Sequence, residues 1–286
     1  MAEVREGAIT RIDEPLARAI LWLSVLDAAR DAELPVDEAL RTVLDGLGDT
    51  REIGTTRLLL AGTFELIDRL GRPERRALRL ASYHDRADEL LAAAPAGSDA
   101  QLAFARAVID TSATDADSTR LRAWLDGRTV PAGLEIGLEL RWAAVARLAV
   151  LGRLDEAEID AVCAFDPTTA GAEAGVAARA SLPTPGAKAA AWAALVANDD
   201  TPLGLRRATA RGFWRPEHLE LTRPYLGRYL ADMLELFSRN SPTLALAIAR
   251  RAFPTTLIEP ATVAAVDGAL AGDGLDPSYR RLLIEA

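Results

Sequence analysis

Residues 226–237, LGRYLADMLELF, indicate the fold class, because their apolar side chains recur at helical spacing. Four of them are separated by four, three and four positions, which places them on one face of an α-helix. They are Leu226, Leu230, Met233 and Phe237. The same spacing recurs at Leu16, Ile20 and Leu23 and at Leu138, Trp142, Val145 and Leu148. No stretch shows the strict alternation of a β-strand, so the pattern predicts an all-α protein.

Prolines preceded by small polar or acidic residues divide the chain into segments of about 10 to 20 residues, the length of ordinary helices. Typical helix starts are Asp13-Glu14-Pro15, Thr184-Pro185 and Ser241-Pro242. We expect about fifteen helices with short connections, which favour antiparallel neighbours. No strict repeat is visible, which argues against tetratricopeptide or ankyrin arrays. A single domain over residues 1–286, built as a curved superhelix of HEAT-like helix hairpins, fits best, with Trp22, Trp142 and Trp192 mostly buried.

The charge balance argues against some classes of main partner. The 286 residues include 33 basic and 42 acidic side chains, a net charge of −9. This acidic balance argues against nucleic acid or an anionic membrane as the main partner, because binding to phosphate groups needs a basic surface. No apolar run is long enough to span a bilayer, and residues 1–6 carry no apolar segment typical of a secretory signal. The expected location is therefore the cytoplasm.

The residues needed for common catalytic sites are scarce. Cys163 is the single cysteine, and its apolar surroundings favour a small core side chain over a reactive thiolate. The two histidines, His84 and His218, form no His-Glu-x-x-His motif, so no metal site is predicted. Phosphate-binding glycine loops and the Gly-x-Ser-x-Gly motif are also absent. We therefore nominate no catalytic residue and expect no cofactor in this chain.

One basic cluster is a candidate contact site. Arg207, Arg211 and Arg215 follow one another in steps of four, which places them on one helix face if the helix continues past Gly212. Arginine forks bind carboxylates well, so the row is a candidate contact for the carboxylate of a peptide or of a partner protein. The alternative is an ordinary solvated face, since exposed arginines usually contribute little.

Several stretches, in this order and spacing, resemble the C-terminal helical domain of aminopeptidase N-type zinc metallopeptidases, a domain also found in the antigen-trimming aminopeptidases. Actinobacterial members are the most similar in character, and the resemblance extends from about residue 13 to the C-terminus. The stretches are 16–34, 152–160, 166–171, 185–192 and 211–216.

The resemblance implies a curved superhelix that folds over a catalytic domain, closes the active-site chamber and helps hold the peptide. It implies no zinc and no catalytic residue in this chain, because the zinc-binding His-Glu-x-x-His and the Gly-x-Met-Glu-Asn motif of that family lie in preceding domains. Zinc is then expected in a catalytic partner. Two explanations of this chain remain open: it is a part of a longer enzyme, or it is a separately encoded subunit. The competing hypotheses are a free-standing α-solenoid adaptor that binds another protein and an unrelated all-α enzyme. Peptide specificity and oligomeric state do not follow from the sequence.

Overall fold

The computed structural model describes residues 9–197, 201–272 and 274–285. These residues form sixteen α-helices and no strand, so the predicted all-α class is confirmed. The chain forms two compact units, the first ending at Ala144 and the second beginning at Val145. The boundary falls inside a helix, Leu138–Val150. The single domain and the curved superhelix stay predictions.

The first unit contains six helices and the first part of a seventh. They are α1 (Pro15–Arg30), α2 (Val36–Gly46), α3 (Ile53–Glu65), α4 (Arg76–Ala93), α5 (Asp99–Thr111), α6 (Asp115–Leu125) and α7 (Leu138–Val150). Single 3₁₀ turns cover Ile9–Arg11, Leu47–Asp49 and Pro73–Arg75, and a π-helical turn follows α3 at Leu66–Leu70. Within this unit α4 packs most extensively against α5.

The second unit contains the end of α7 and nine further helices. They are α8 (Glu156–Phe165), α9 (Thr169–Ala180), α10 (Pro185–Val196), α11 (Leu203–Phe213), α12 (Leu219–Thr222), α13 (Tyr225–Arg239), α14 (Pro242–Ala252), α15 (Pro260–Ala271) and α16 (Pro277–Glu285). Consecutive helices pack as pairs at α8–α9, α10–α11 and α13–α14, while α9 makes its largest contact with α11. No helix in the described part of the chain is both long and apolar enough to cross a membrane.

The helix starts predicted from proline are confirmed. Helix α1 begins at Pro15, and the Glu14 carboxylate accepts hydrogen bonds from the first backbone N–H groups of the helix. Helices α10 and α14 begin at prolines preceded by Thr184 and Ser241, whose hydroxyl oxygens accept from the N–H groups three residues on. Proline suits this position because the first helical residue needs no N–H donor.

The buried face of α1 is not the stripe that the spacing suggested. Leu16 and Ile20 are 66% and 52% exposed, whereas Trp22 and Leu26, on the neighbouring row, are almost fully buried. Helix α1 is apolar on both sides, so periodicity alone could not decide which side faces the core. Of the three tryptophans expected in the core, Trp22 and Trp192 are buried and Trp142 is only partly buried.

Candidate functional site

The three arginines singled out in the sequence lie in two different environments. Helix α11 continues past Gly212 and ends at Phe213, so only Arg207 and Arg211 share a helix face, and both are exposed. Arg215 follows the helix in extended backbone and is half-buried. The structure therefore brings together two of the three side chains, and their carboxylate contact stays a prediction.

Gly212 lies within α11. Its lack of a side chain allows α11 to approach α9 closely. A Cβ atom at this position would collide with the carbonyl oxygen of Ala177 in α9. The Ser181 hydroxyl, just beyond α9, donates a hydrogen bond of 3.1 Å to the Gly212 carbonyl. Helices α9 and α11 thus approach each other closely enough to join their C-terminal ends.

An open groove of about 440 Å³ lies beside Arg207. We call it the basic groove, and it is lined by one face of α14, by Arg207 of α11 and by Ser278 of α16. Its lining residues are Arg207, Pro242, Thr243, Leu246, Ala247, Arg250, Arg251 and Ser278. Three of these eight residues are arginines and none is acidic, so the groove presents positive charge on an acidic protein.

The arginines of the basic groove are exposed and available. Among the described residues, no carboxylate lies within salt-bridge distance of Arg207, Arg250 or Arg251. Arg250 acts at longer range on Glu285, whose pKa is lowered mainly by its hydrogen bond with Arg281. Sequence reasoning found Arg207 but missed the two arginines of α14, because they are adjacent to it only in the tertiary structure.

A buried lysine lies between the ends of α9 and α11. Lys188, in the first turn of α10, has no solvent-exposed surface, and its Nζ donates hydrogen bonds to the carbonyls of Ala180 (2.7 Å) and Phe213 (3.1 Å). These carbonyls belong to the last residues of their helices and lack partners within them. Burial and the nearby Arg215 lower the pKa of Lys188 to about 7, while Glu217 opposes this shift.

Polar groups around Lys188 fix the segment that follows α11. The Nε2–H group of the buried His218 donates a hydrogen bond of 2.8 Å to the Val150 carbonyl. Burial, and then the charge of Lys188, lower the pKa of this histidine. Arg147 of α7 pairs with Glu217 at 2.7 Å and is itself almost fully buried. These contacts connect the segment after α11 to α7 and to the Val150 carbonyl.

An aromatic cluster joins the two stretches 185–192 and 211–216. The Trp192 ring lies 5.4 Å from the Phe213 ring and 6.3 Å from the Trp214 ring, measured between centroids. The indole N–H of Trp192 donates to Asp232 at 2.6 Å. Tilted and edge-on aromatic contacts of this kind stabilise a core beyond their burial. The aromatic side chains of both stretches are therefore core residues.

The first unit has a groove of its own, of about 460 Å³, between α3 and α5. Its walls include Leu60, Phe64 and Leu102, and its rim carries charged side chains of both signs. Arg106 on the rim already pairs with Asp110 at 2.8 Å. The charges of this groove are therefore largely satisfied within the unit, unlike those of the basic groove.

Possible metal ligands are scattered over the described part of the chain. In the described part of the chain, no three His, Cys, Asp or Glu side chains are placed to hold a metal ion together. His84, in the first unit, contacts Thr111 at 3.0 Å and Asp117 at 3.5 Å. Cys163 is partly buried, and its Sγ lies 3.8 Å from the Arg179 guanidinium.

Comparison with known proteins agrees with the family resemblance that the sequence stretches indicated. The model of the ERAP1-like C-terminal domain family matches residues 1–286. The chain is also 36% identical, over 273 residues, to a protein named aminopeptidase N from Streptomyces lividans. That match covers 96% of this chain but only 32% of the relative, so the chain spans about a third of the relative's length and corresponds to its C-terminal part. The chain belongs to the family of ERAP1-like C-terminal domains.

Proposed function

We propose that this chain is the non-catalytic C-terminal domain, or a separately encoded C-terminal subunit, of a zinc aminopeptidase. In this role it closes the active-site chamber and helps hold the peptide substrate. The observation that supports the proposal is the family match over the whole chain, together with the relative whose C-terminal third it resembles. The proposed partner is a catalytic zinc-peptidase domain, and zinc is expected there and not in this chain.

The proposal places the catalytic chemistry in the partner domain. Zinc-assisted hydrolysis needs a bound Lewis acid, a general base and a group that binds the substrate amine. The described residues bring together no group of three metal-ligating side chains, and the buried His218 already donates to a backbone carbonyl. We propose that the partner carries out the chemistry and that this chain helps to bind the peptide. We expect a cytoplasmic protein whose acidic charge does not favour nucleic acid or membrane surfaces.

Arg207, Arg211 and Arg215 are the proposed contacts for a carboxylate of the peptide or of the partner. The first two are exposed on one face of α11 and can donate bidentate hydrogen bonds. Arg215 is half-buried beside Lys188 and needs to be tested separately, because its removal also changes the core.

A chimera tests the chamber role. The C-terminal third of the Streptomyces aminopeptidase N is replaced by this chain, and turnover is measured with a single-residue reporter and with a longer peptide. We expect the chimera to exceed the relative truncated before this domain, and to do so more for the peptide than for the reporter. Binding energy from the distal part of a peptide can be used in the transition state.

The double variant Arg207→Ala/Arg211→Ala tests the contact, with Arg239→Ala as the control because that exposed arginine already pairs with Glu235. We expect the double variant to lose about tenfold in peptide kcat/KM and the control to lose none. Equal stimulation of both substrates would remove the chamber role. An unchanged double variant would remove the arginine assignment, and a chimera no better than the truncated relative would favour the adaptor hypothesis.

A further inference from the structure

We propose that the basic groove is a binding site for a multivalent phosphate-type anion. Arg207, Arg250 and Arg251 line one open cavity of about 440 Å³ together with the hydroxyl-bearing side chains of Thr243 and Ser278. Arg207 belongs both to this site and to the proposed peptide contact. The two sites differ in the ligand that they bind and are tested by different experiments.

The geometry comes from two helices. Helix α14 places Thr243, Arg250 and Arg251 along one face, because positions separated by seven or eight residues return to the same side of a helix. Helix α11 packs against α14 and adds Arg207 to the groove. The three arginines therefore line one open groove.

The positive charge of the groove favours a multivalent anion over a single carboxylate. Three arginines and no acidic residue are among the described residues that line the groove, so a single carboxylate would leave most of the positive charge uncompensated. Planar arginine forks match the oxygen atoms of phosphate as well as those of carboxylate, and the two hydroxyls add further donors. The volume exceeds that of inorganic phosphate and falls within the range of small-molecule sites. A polyphosphate chain or an organic phosphate fits this combination.

Two carboxylates of α16 and its start have hydrogen-bond donors of their own. Asp276 caps α16, and its Oδ1 accepts from the backbone N–H groups of Ser278 and Tyr279. Glu285 accepts a hydrogen bond from Arg281. Both carboxylates therefore have hydrogen-bond donors within α16, and of the two only Glu285 interacts with a groove arginine, through its longer-range attraction to Arg250.

Calorimetric titration of the isolated chain tests the site without peptide or catalytic domain, so its result is independent of the proposed function. The probes are inorganic phosphate, tripolyphosphate, ATP and, as a carboxylate trianion, citrate. We expect saturable one-to-one binding of tripolyphosphate that weakens with added salt, and weaker binding of phosphate and citrate. ATP binding as tight as that of tripolyphosphate would extend the site to organic phosphates.

Charge-removing variants assign the binding to this groove. We expect Arg207→Gln and Arg251→Gln each to weaken tripolyphosphate binding about tenfold, since each removes a charged hydrogen-bond donor. Arg239→Gln removes the same charge elsewhere in the second unit and should leave binding unchanged. The proposal is overturned by a lack of saturable binding at millimolar concentrations, by citrate binding as tightly as tripolyphosphate, or by equal effects of the groove and control variants. Circular dichroism confirms that each variant is folded.

Discussion

The Nζ of Lys188 donates a hydrogen bond of 3.1 Å to the carbonyl of Phe213, and so connects the first turn of α10 to the last residue of α11. The same nitrogen reaches the carbonyl of Ala180 at the end of α9. Lys188 is the only lysine in the chain, and its side chain is fully buried. One side chain therefore satisfies two helix ends that the packing of α9 against α11 brings together.

Replacing Lys188 by methionine should destabilise the protein by about 2 kcal/mol at mildly alkaline pH. The change keeps an apolar stem of similar length but leaves the Ala180 and Phe213 carbonyls without a donor, and each orphaned buried acceptor carries a desolvation cost. Chemical denaturation measures the loss. Stability equal to that of the wild type would show that water or a rearranged neighbour replaces these hydrogen bonds.

Stability should also rise with pH above about 7 because of this lysine. Burial lowers the pKa of Lys188 to about 7 in the folded protein, whereas the unfolded chain keeps the usual value near 10.4. Between these values the unfolded state binds more protons, so raising the pH favours folding, with a slope of up to ~1.4 kcal/mol per pH unit. Below the folded pKa, both states are protonated and the dependence on this group disappears.

The Lys188→Met variant is the control for this pH dependence. Denaturation curves at several pH values between 6 and about 10 should give a wild-type stability that increases relative to that of the variant. Parallel pH profiles for the two proteins would contradict the lowered pKa of Lys188, and would indicate that the ammonium form is retained beside the two carbonyls.

Substituting Gly212 by alanine should cost at least ~2 kcal/mol of stability. The new Cβ would collide with the backbone carbonyl of Ala177, which cannot move without shifting α9. Gly227, in α13, is the matched control, because a Cβ there meets no atom within 4 Å. Gly227→Ala should stabilise the protein by about 0.5–1 kcal/mol through helix propensity. Thermal unfolding of both variants distinguishes the effects, and a neutral Gly212→Ala would show that α9 and α11 can separate.

The two apolar faces of α1 should respond differently to mutation. Leu16→Gln and Ile20→Gln alter exposed side chains and should change the stability of this chain by less than ~0.5 kcal/mol each. Leu26→Ala removes a buried side chain that lies against Gly62, and should cost about 3 kcal/mol. A larger loss from the Leu16 variant than from the Leu26 variant would reverse the assignment of the faces.

The sequence by itself determined the fold class and many of the helix starts. Apolar spacing and proline after a capping residue act within one or two turns of helix, so they can be read from neighbouring positions, as at Pro15 and Pro242. The order of the short motifs also identified the family. The helix starts depend on local backbone chemistry, which is independent of tertiary contacts.

Only the tertiary structure decided which faces are buried and which polar groups meet. The spacing of Leu16 and Ile20 is as regular as that of a core stripe, yet α2 and α3 pack on the other side of α1. Arg207 and Arg251 are 44 positions apart and share a groove because α11 packs on α14. Lys188 became a double helix cap because α9 and α11 end side by side. Such relationships depend on how the helices pack against one another. The spacing of residues along the chain does not specify this packing.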